Sequence, residues 1–126
     1  MVCGSADLTE RRSCAVFDFD GTIIPGDSVV RMIRAAKKEG LLSFTESMKI
    51  ALAGTGYLLR LTDAMSSKIR AHAFLRGMQA EEREAFLQRF AGQLCDAARP
   101  RALEAIEARR AAGNELILCS ASGACY

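Results

Sequence analysis

Residues 15–24 read AVFDFDGTII, with two aspartates, Asp18 and Asp20, inside an otherwise apolar run. A charge taken out of water costs several kcal/mol unless something compensates it. Val and Phe before a glycine make the first part of this run a short buried strand. The carboxylates therefore belong at its end, where the chain leaves the sheet. Residues two apart in an extended chain share a side, so Asp18 and Asp20 face one rim. Gly21 lets the backbone turn there, and the amides that follow can donate to an anion.

The rest of the chain decides what kind of sheet this strand enters. Residues 1 to about 12 are polar and frayed in this reading. Pro25-Gly26 signals a turn, and Asp27 is the expected N-cap of a helix through about Glu39, stopped at Gly40. Ser43 and Glu46 have capping-box spacing and open a second helix, expected to end near Ala53 at the Gly54-Thr55-Gly56 break. Leu58, Leu61, Met65 and Ile69 recur at helical period. A further break is expected near Gly77, followed by a helix from about Ala80 to Cys95 with the apolar stripe Phe86, Leu87, Phe90, Ala91 and Leu94. Pro100 suits the first turn of the next helix, which carries Leu103 and Ile106 inward and ends at Arg109, Arg110 and Gly113. Glu115 to Ser120, ELILCS, is the second buried strand.

Two continuous apolar strands joined by helices imply an α/β fold with a parallel sheet covered on both faces. Two strands alone do not make a stable sheet, so the chain is expected to be the front part of such a domain. Residues 13–26 and 97–126 form the partial α/β core, and residues 27–96 form an inserted helical cap. Its 126 residues suit one domain of ordinary size.

In open parallel sheets, ligands bind at the carboxyl ends of the strands. Asp18 closes the first strand and Ser120 the second. Two carboxylates, a hydroxyl and backbone amides suit phosphate chemistry. One carboxylate can attack phosphorus, and the other can protonate the leaving oxygen and then activate water. Carboxylate and phosphate repel one another, so a divalent cation is required, and hard oxygen ligands select Mg²⁺.

The stretch DFDGT after an apolar strand resembles the first motif of the haloacid dehalogenase-like superfamily, Asp-x-Asp-Gly-Thr. LILCSAS resembles its second motif, an apolar strand ending in Ser or Thr. FDFDGTIIPGDS with CSASGACY resembles the phosphoserine phosphatase-like branch, which has a helical cap. The resemblance implies a Rossmann-like core and a Mg²⁺-dependent phosphatase acting through an aspartyl-phosphate. It makes Asp18 the nucleophile and Asp20 the general acid/base, both at the metal, with the Asp20 carbonyl as a ligand. Gly21, Thr22, Ser120 and Ala121 are placed around the phosphate. The family's later lysine and acidic pair have no counterpart up to Tyr126, so these 126 residues are expected to be an incomplete and weakly active or inactive portion of the enzyme. The implied substrate is a small-molecule or lipid phosphate ester. The alternative is a non-catalytic phosphate-binding or interaction module on the same fold. A nucleotide-sugar transferase is a poor third, because it has no use for Asp-Gly-Thr.

Other signals narrow the field. Net charge is +2 and tryptophan is absent, which argues against nucleic acid. The odd count of five cysteines, without metal-ligand spacing, argues against a disulfide framework or zinc site. Cys14 and Cys119, within the strand-like runs, read as small apolar residues. No signal peptide or membrane-length stretch is evident, so a reducing cytoplasm is the expected location. Arg31, Arg34 and Lys38 read as a solvated helix face, His72 as structural or exposed, and Phe86, Leu87 and Phe90 as core.

Overall fold

The computed structural model describes residues 13–121. Strand β1 (Cys14–Asp18) is followed by α1 (Ser28–Lys38), α2 (Phe44–Leu58), α3 (Ala64–His72), a 3-10 turn (Ala73–Gly77), α4 (Ala80–Asp96), α5 (Pro100–Ala111) and β2 (Glu115–Cys119). The two strands pair in parallel, with Cys14 opposite Glu115 and Asp18 opposite Cys119. Their starts are pinned by Glu115 N–H donating to Ser13 O at 3.0 Å and Asn114 Nδ2 donating to Ser13 Oγ at 2.6 Å. This is a mixed α/β chain whose strands are joined by helices, as the sequence pattern implies. Cys3, Cys125, Tyr126 and the stretch before residue 13, for which fraying is expected from the sequence, lie outside the described residues.

The core forms where α1, the 3-10 turn and α4 converge on the loop after β1. Ile24, Met32 and Phe86 are fully buried there. Phe86 stacks on Phe90 and meets Phe74 edge-on, at ring-centroid distances of 6.2 and 6.0 Å. The stripe spacing of α4 thus delivers Phe86, Phe90 and Leu94 to the core, with Leu87 packed beside them. Phe17 and Phe19 pack against the same cluster, which fixes β1 and its loop to the helices.

Several expectations change. The helix α2 does not stop at Ala53 but continues through Gly54, Thr55 and Gly56 to Leu58. A glycine in a helix interior costs only about 1 kcal/mol relative to alanine, which intact helical hydrogen bonding outweighs. Gly56 also lies against Thr62, where a Cβ would come within 3.3 Å of the hydroxyl. Leu58 closes α2 and Leu61 lies in the turn, so they do not join Met65 and Ile69 on one helix. Leu103 is exposed, whereas Ile106 does pack on the core. One face of the pair is partly covered, with Ala15, Phe17 and Leu116 half-buried although Leu118 beside Phe17 is exposed, while Val16 and its partner Ile117 on the other face are 59% and 39% exposed. Cys14 and Cys119 lie on the face of Val16 and Ile117 and are exposed rather than buried. Those two and Cys95 are free thiols.

Candidate functional site

At its carboxyl end, β1 delivers Asp18 to an exposed rim. Phe19 N–H donates to Cys119 O at 3.1 Å, so the parallel pairing continues one step past Asp18. Ser120 and Ala121 follow β2 at the same end. The parallel register therefore brings both sequence motifs to one edge, although about a hundred residues separate them.

The loop after β1 is folded tightly on itself. Ile23 and Ile24 N–H both donate to Phe19 O, at 3.1 and 3.2 Å, and Gly21 N–H donates to Gly26 O at 2.9 Å. Gly21 and Gly26 have φ of +78° and +80°, the left-handed region that costs other L-residues about 1–2 kcal/mol. The side chains of Ile23 and Ile24 enter the core and hold the loop from below. Arg31 clamps it from α1, its Nε and Nη2 donating to Pro25 O at 3.0 and 2.8 Å. Arg31 is thus a loop clasp rather than a merely solvated charge.

Within this frame, Thr22 Oγ1 donates to Asp18 Oδ2 at 3.1 Å, which orients the carboxylate. Asp20 is half-buried, and its Oδ1 accepts from Ser28 N–H at 2.7 Å. Ser28 is the first residue of α1, where backbone amides lack helical partners and the helix dipole is positive. Asp27 caps the same helix by accepting from Val30 N–H at 3.1 Å. Two adjacent turns of chain thus place carboxylates at different jobs: Asp27 at the helix, Asp18 at the rim, and Asp20 between them.

The sequence pattern gives no warning of Lys68. From α3, its Nζ donates to Ala121 O at 2.6 Å, placing an ammonium group at the end of β2. No local signal marks it, since its partner is 53 positions away. His72 sits on the same helix, half-buried, with Nδ1 2.7 Å from Lys68 O. A cavity of about 320 Å³ lies elsewhere, between Glu46, Lys49 and Ile50 of α2 and Arg70, Ala73 and Phe74. It includes none of the rim residues.

Asp18 and Asp20 provide hard oxygen donors of the kind Mg²⁺ prefers. That ion is usually held by one or two carboxylates with water and substrate oxygens completing the shell. Among the described residues, no group of three or more His, Cys, Asp or Glu side chains forms a fuller metal cage. The donor set fits a Mg²⁺ site that relies on water and substrate, and does not fit a closed protein cage.

A parallel pair ending in Asp-x-Asp-Gly-Thr and Ser, with helices between the strands, defines a hydrolase-type α/β rim. The family model for haloacid dehalogenase-like hydrolases matches residues 15–126, and the chain belongs to that family. Neither the curated proteins nor the solved structures contain a significant match. Among the described residues, no helix is long and apolar enough to cross a membrane.

Proposed function

We propose that the protein is a Mg²⁺-dependent phosphatase of the phosphoserine phosphatase-like branch, cleaving phosphate monoesters through an aspartyl-phosphate at Asp18. The observation that carries this reading is the Asp18 carboxylate at the strand end, oriented by Thr22 and opposite Cys119, the residue before Ser120. The substrate would be a small-molecule or lipid phosphate ester, with the helices of residues 27–96 acting as the cap over the rim. The free thiols suit a reducing cytoplasm.

An Asp18 oxygen attacks phosphorus, and the P–O bond to the alcohol breaks. Asp20 gives its proton to the departing oxygen. With Oδ1 held by Ser28 N–H, the carboxyl plane is fixed and the other oxygen carries that proton. Asp20 then takes a proton from water, the water oxygen bonds to phosphorus, and the P–O bond to Asp18 breaks to release phosphate. The Ser120 hydroxyl and the amides of Thr22 and Ala121 hold the phosphoryl oxygens, whereas the Gly21 amide expected there is engaged by Gly26 O and shapes the loop instead. Lys68 adds positive charge at the same edge. The Asp18 carboxylate and the Asp20 main-chain carbonyl would hold Mg²⁺. When bound, the ion offsets the repulsion between Asp18 and the phosphate.

The test is phosphate release from an aryl phosphate and an alkyl phosphate with Mg²⁺, together with acid-quench trapping of ³²P on the protein. Joined to the family's later lysine and acidic pair, the chain should turn over and carry label, whereas Asp18→Asn should do neither while keeping its melting temperature. Asp20→Asn should lose more rate on the alkyl ester, whose leaving group needs the proton. Turnover by Asp18→Asn at a substantial fraction of the wild-type rate would overturn the assignment.

A further inference from the structure

Helices α2 and α3 form a hairpin that carries one cation back to the strand ends. Ser43 and Glu46 make a reciprocal capping box at the start of α2, and Asp63 caps α3 by accepting from Ser66 N–H at 3.2 Å. Ser67 Oγ donates to Ala53 O of α2 at 3.4 Å, which ties the two helices together beside Lys68. Three residues further on, Ala71 is buried, and His72 Nδ1 lies 2.7 Å from Lys68 O. The backbone that presents Lys68 is therefore held on both sides. Its side chain is half-buried and ends with Nζ 2.6 Å from Ala121 O, one residue past Ser120.

That contact leaves the ammonium with work undone. It has three donors and no acceptor, and a carbonyl occupies one of them. The carbonyl is neutral, so the charge is hydrogen-bonded but not compensated. The ion pairs among the described residues are Arg89–Glu39 and Arg110–Glu107, and neither includes Lys68. The hairpin's own carboxylates, Glu46 and Asp63, are committed to helix caps. Hydrogen bonds from the backbone and side chain of Ser43 hold the Glu46 carboxyl below its ordinary range, and those from the side chain and backbone of Ser66 do the same for Asp63. Arg31, the cation on the loop after β1, is spent on Pro25 O. Lys68 therefore brings uncompensated positive charge to the edge where the two strands end, and an anion with several oxygens can use it without displacing Ala121.

We propose that Lys68 is a bridging phosphate ligand: one donor stays on Ala121 O while another takes an oxygen of the phosphoryl group at the rim, so that filling the rim fastens α3 to the end of β2. The inference rests on the reading of the rim as a phosphate site, and adds to it a ligand supplied from the helices of residues 27–96.

Calorimetric titration of inorganic phosphate into the chain, with Mg²⁺ present, tests it. Wild type should bind. Lys68→Met, which keeps the packing of the stem, should bind about tenfold more weakly, the value of a hydrogen bond to a charged group. Lys68→Arg should recover most of that loss, because charge and donors return. Lys49→Met removes the same charge from the cavity away from the rim and should bind like wild type. Hydrogen exchange of the α3 amides should slow when phosphate saturates wild type, and should not slow in Lys68→Met at equal occupancy. Binding by Lys68→Met at wild-type strength would overturn the proposal and leave the rim reading standing. An equal loss in Lys49→Met would reduce the effect to net charge and overturn it as well. The exchange measurement needs no variant: α3 amides indifferent to saturating phosphate in wild type would overturn the bridge by themselves. A wild-type chain that binds no phosphate would overturn the reading of the rim, and the bridge with it.

Discussion

Two substitutions of Asp20 should differ in stability while both damaging chemistry. In Asp20→Ala, the Ser28 N–H loses the acceptor now at 2.7 Å, in a residue with no exposed surface. Stranding a buried donor costs about 1–3 kcal/mol, and losing a negative charge at a helix N-terminus costs about 0.3–1 kcal/mol. The sum is about 2 kcal/mol. In Asp20→Asn, the amide oxygen can still accept from Ser28, so only the charge-related part is lost, about 0.5–1 kcal/mol. A domain of this size shifts its melting temperature by about 4 °C per kcal/mol, between the values for smaller and larger domains. Asp20→Ala should therefore melt about 8 °C lower and Asp20→Asn about 3 °C lower. Thermal melts by circular dichroism, with urea titrations to check the slope, read this directly. Equal melting of the two variants, or an Asp20→Ala melt within about 2 °C of wild type, would refute the claim that Asp20 supports α1.

The glycines of α2 give a paired expectation. Gly54 sits in a helix interior with open space where a methyl group would project, so Gly54→Ala should stabilise by about 0.5–1 kcal/mol, whereas Gly56→Ala, tight against Thr62, should gain less or lose; urea midpoints decide. Acid should weaken the hairpin in a defined direction. The folded-state pKa values of Glu46 and Asp63 are depressed, so their contribution is present above the ordinary carboxylate range and is lost as pH falls through the lowered values. Helicity followed from pH 7 downward should fall less steeply in Ser43→Ala, which already lacks the cap.

The strand ends were legible because their signals are local. An apolar run, a carboxylate pair and a glycine occupy ten consecutive residues, and β2 announces itself in the same way. Asp27, Ser43 and Pro100 were legible for the same reason, since caps are decided within one turn. What escaped depends on partners far along the chain. The extent of α2 turned on how little two glycines cost beside a full helical ladder. The exposure of Val16 and Ile117 depends on where the helices settle, and hydrophobicity alone cannot report which face of a strand they cover. Asp20 showed its carboxylate in the sequence but not its attachment to Ser28, because the loop must fold before the helix amide comes within reach. Lys68 meets Ala121 only once α3 has been carried back to the sheet.

The Arg99 N–H donates to Ile23 O at 2.8 Å, just where the chain leaves β1 and just where it returns toward β2. The helical excursion is thus a ring drawn closed at its neck. Lengthening a ring on its far side adds closure entropy only logarithmically, so growth there is cheap and leaves the neck's dimensions alone. Asp18 and Ser120 lie on the strand side of that neck, and their spacing is set by the parallel ladder rather than by the size of the ring. The chain can therefore remodel what faces a substrate without redrawing the edge at which its two motifs meet.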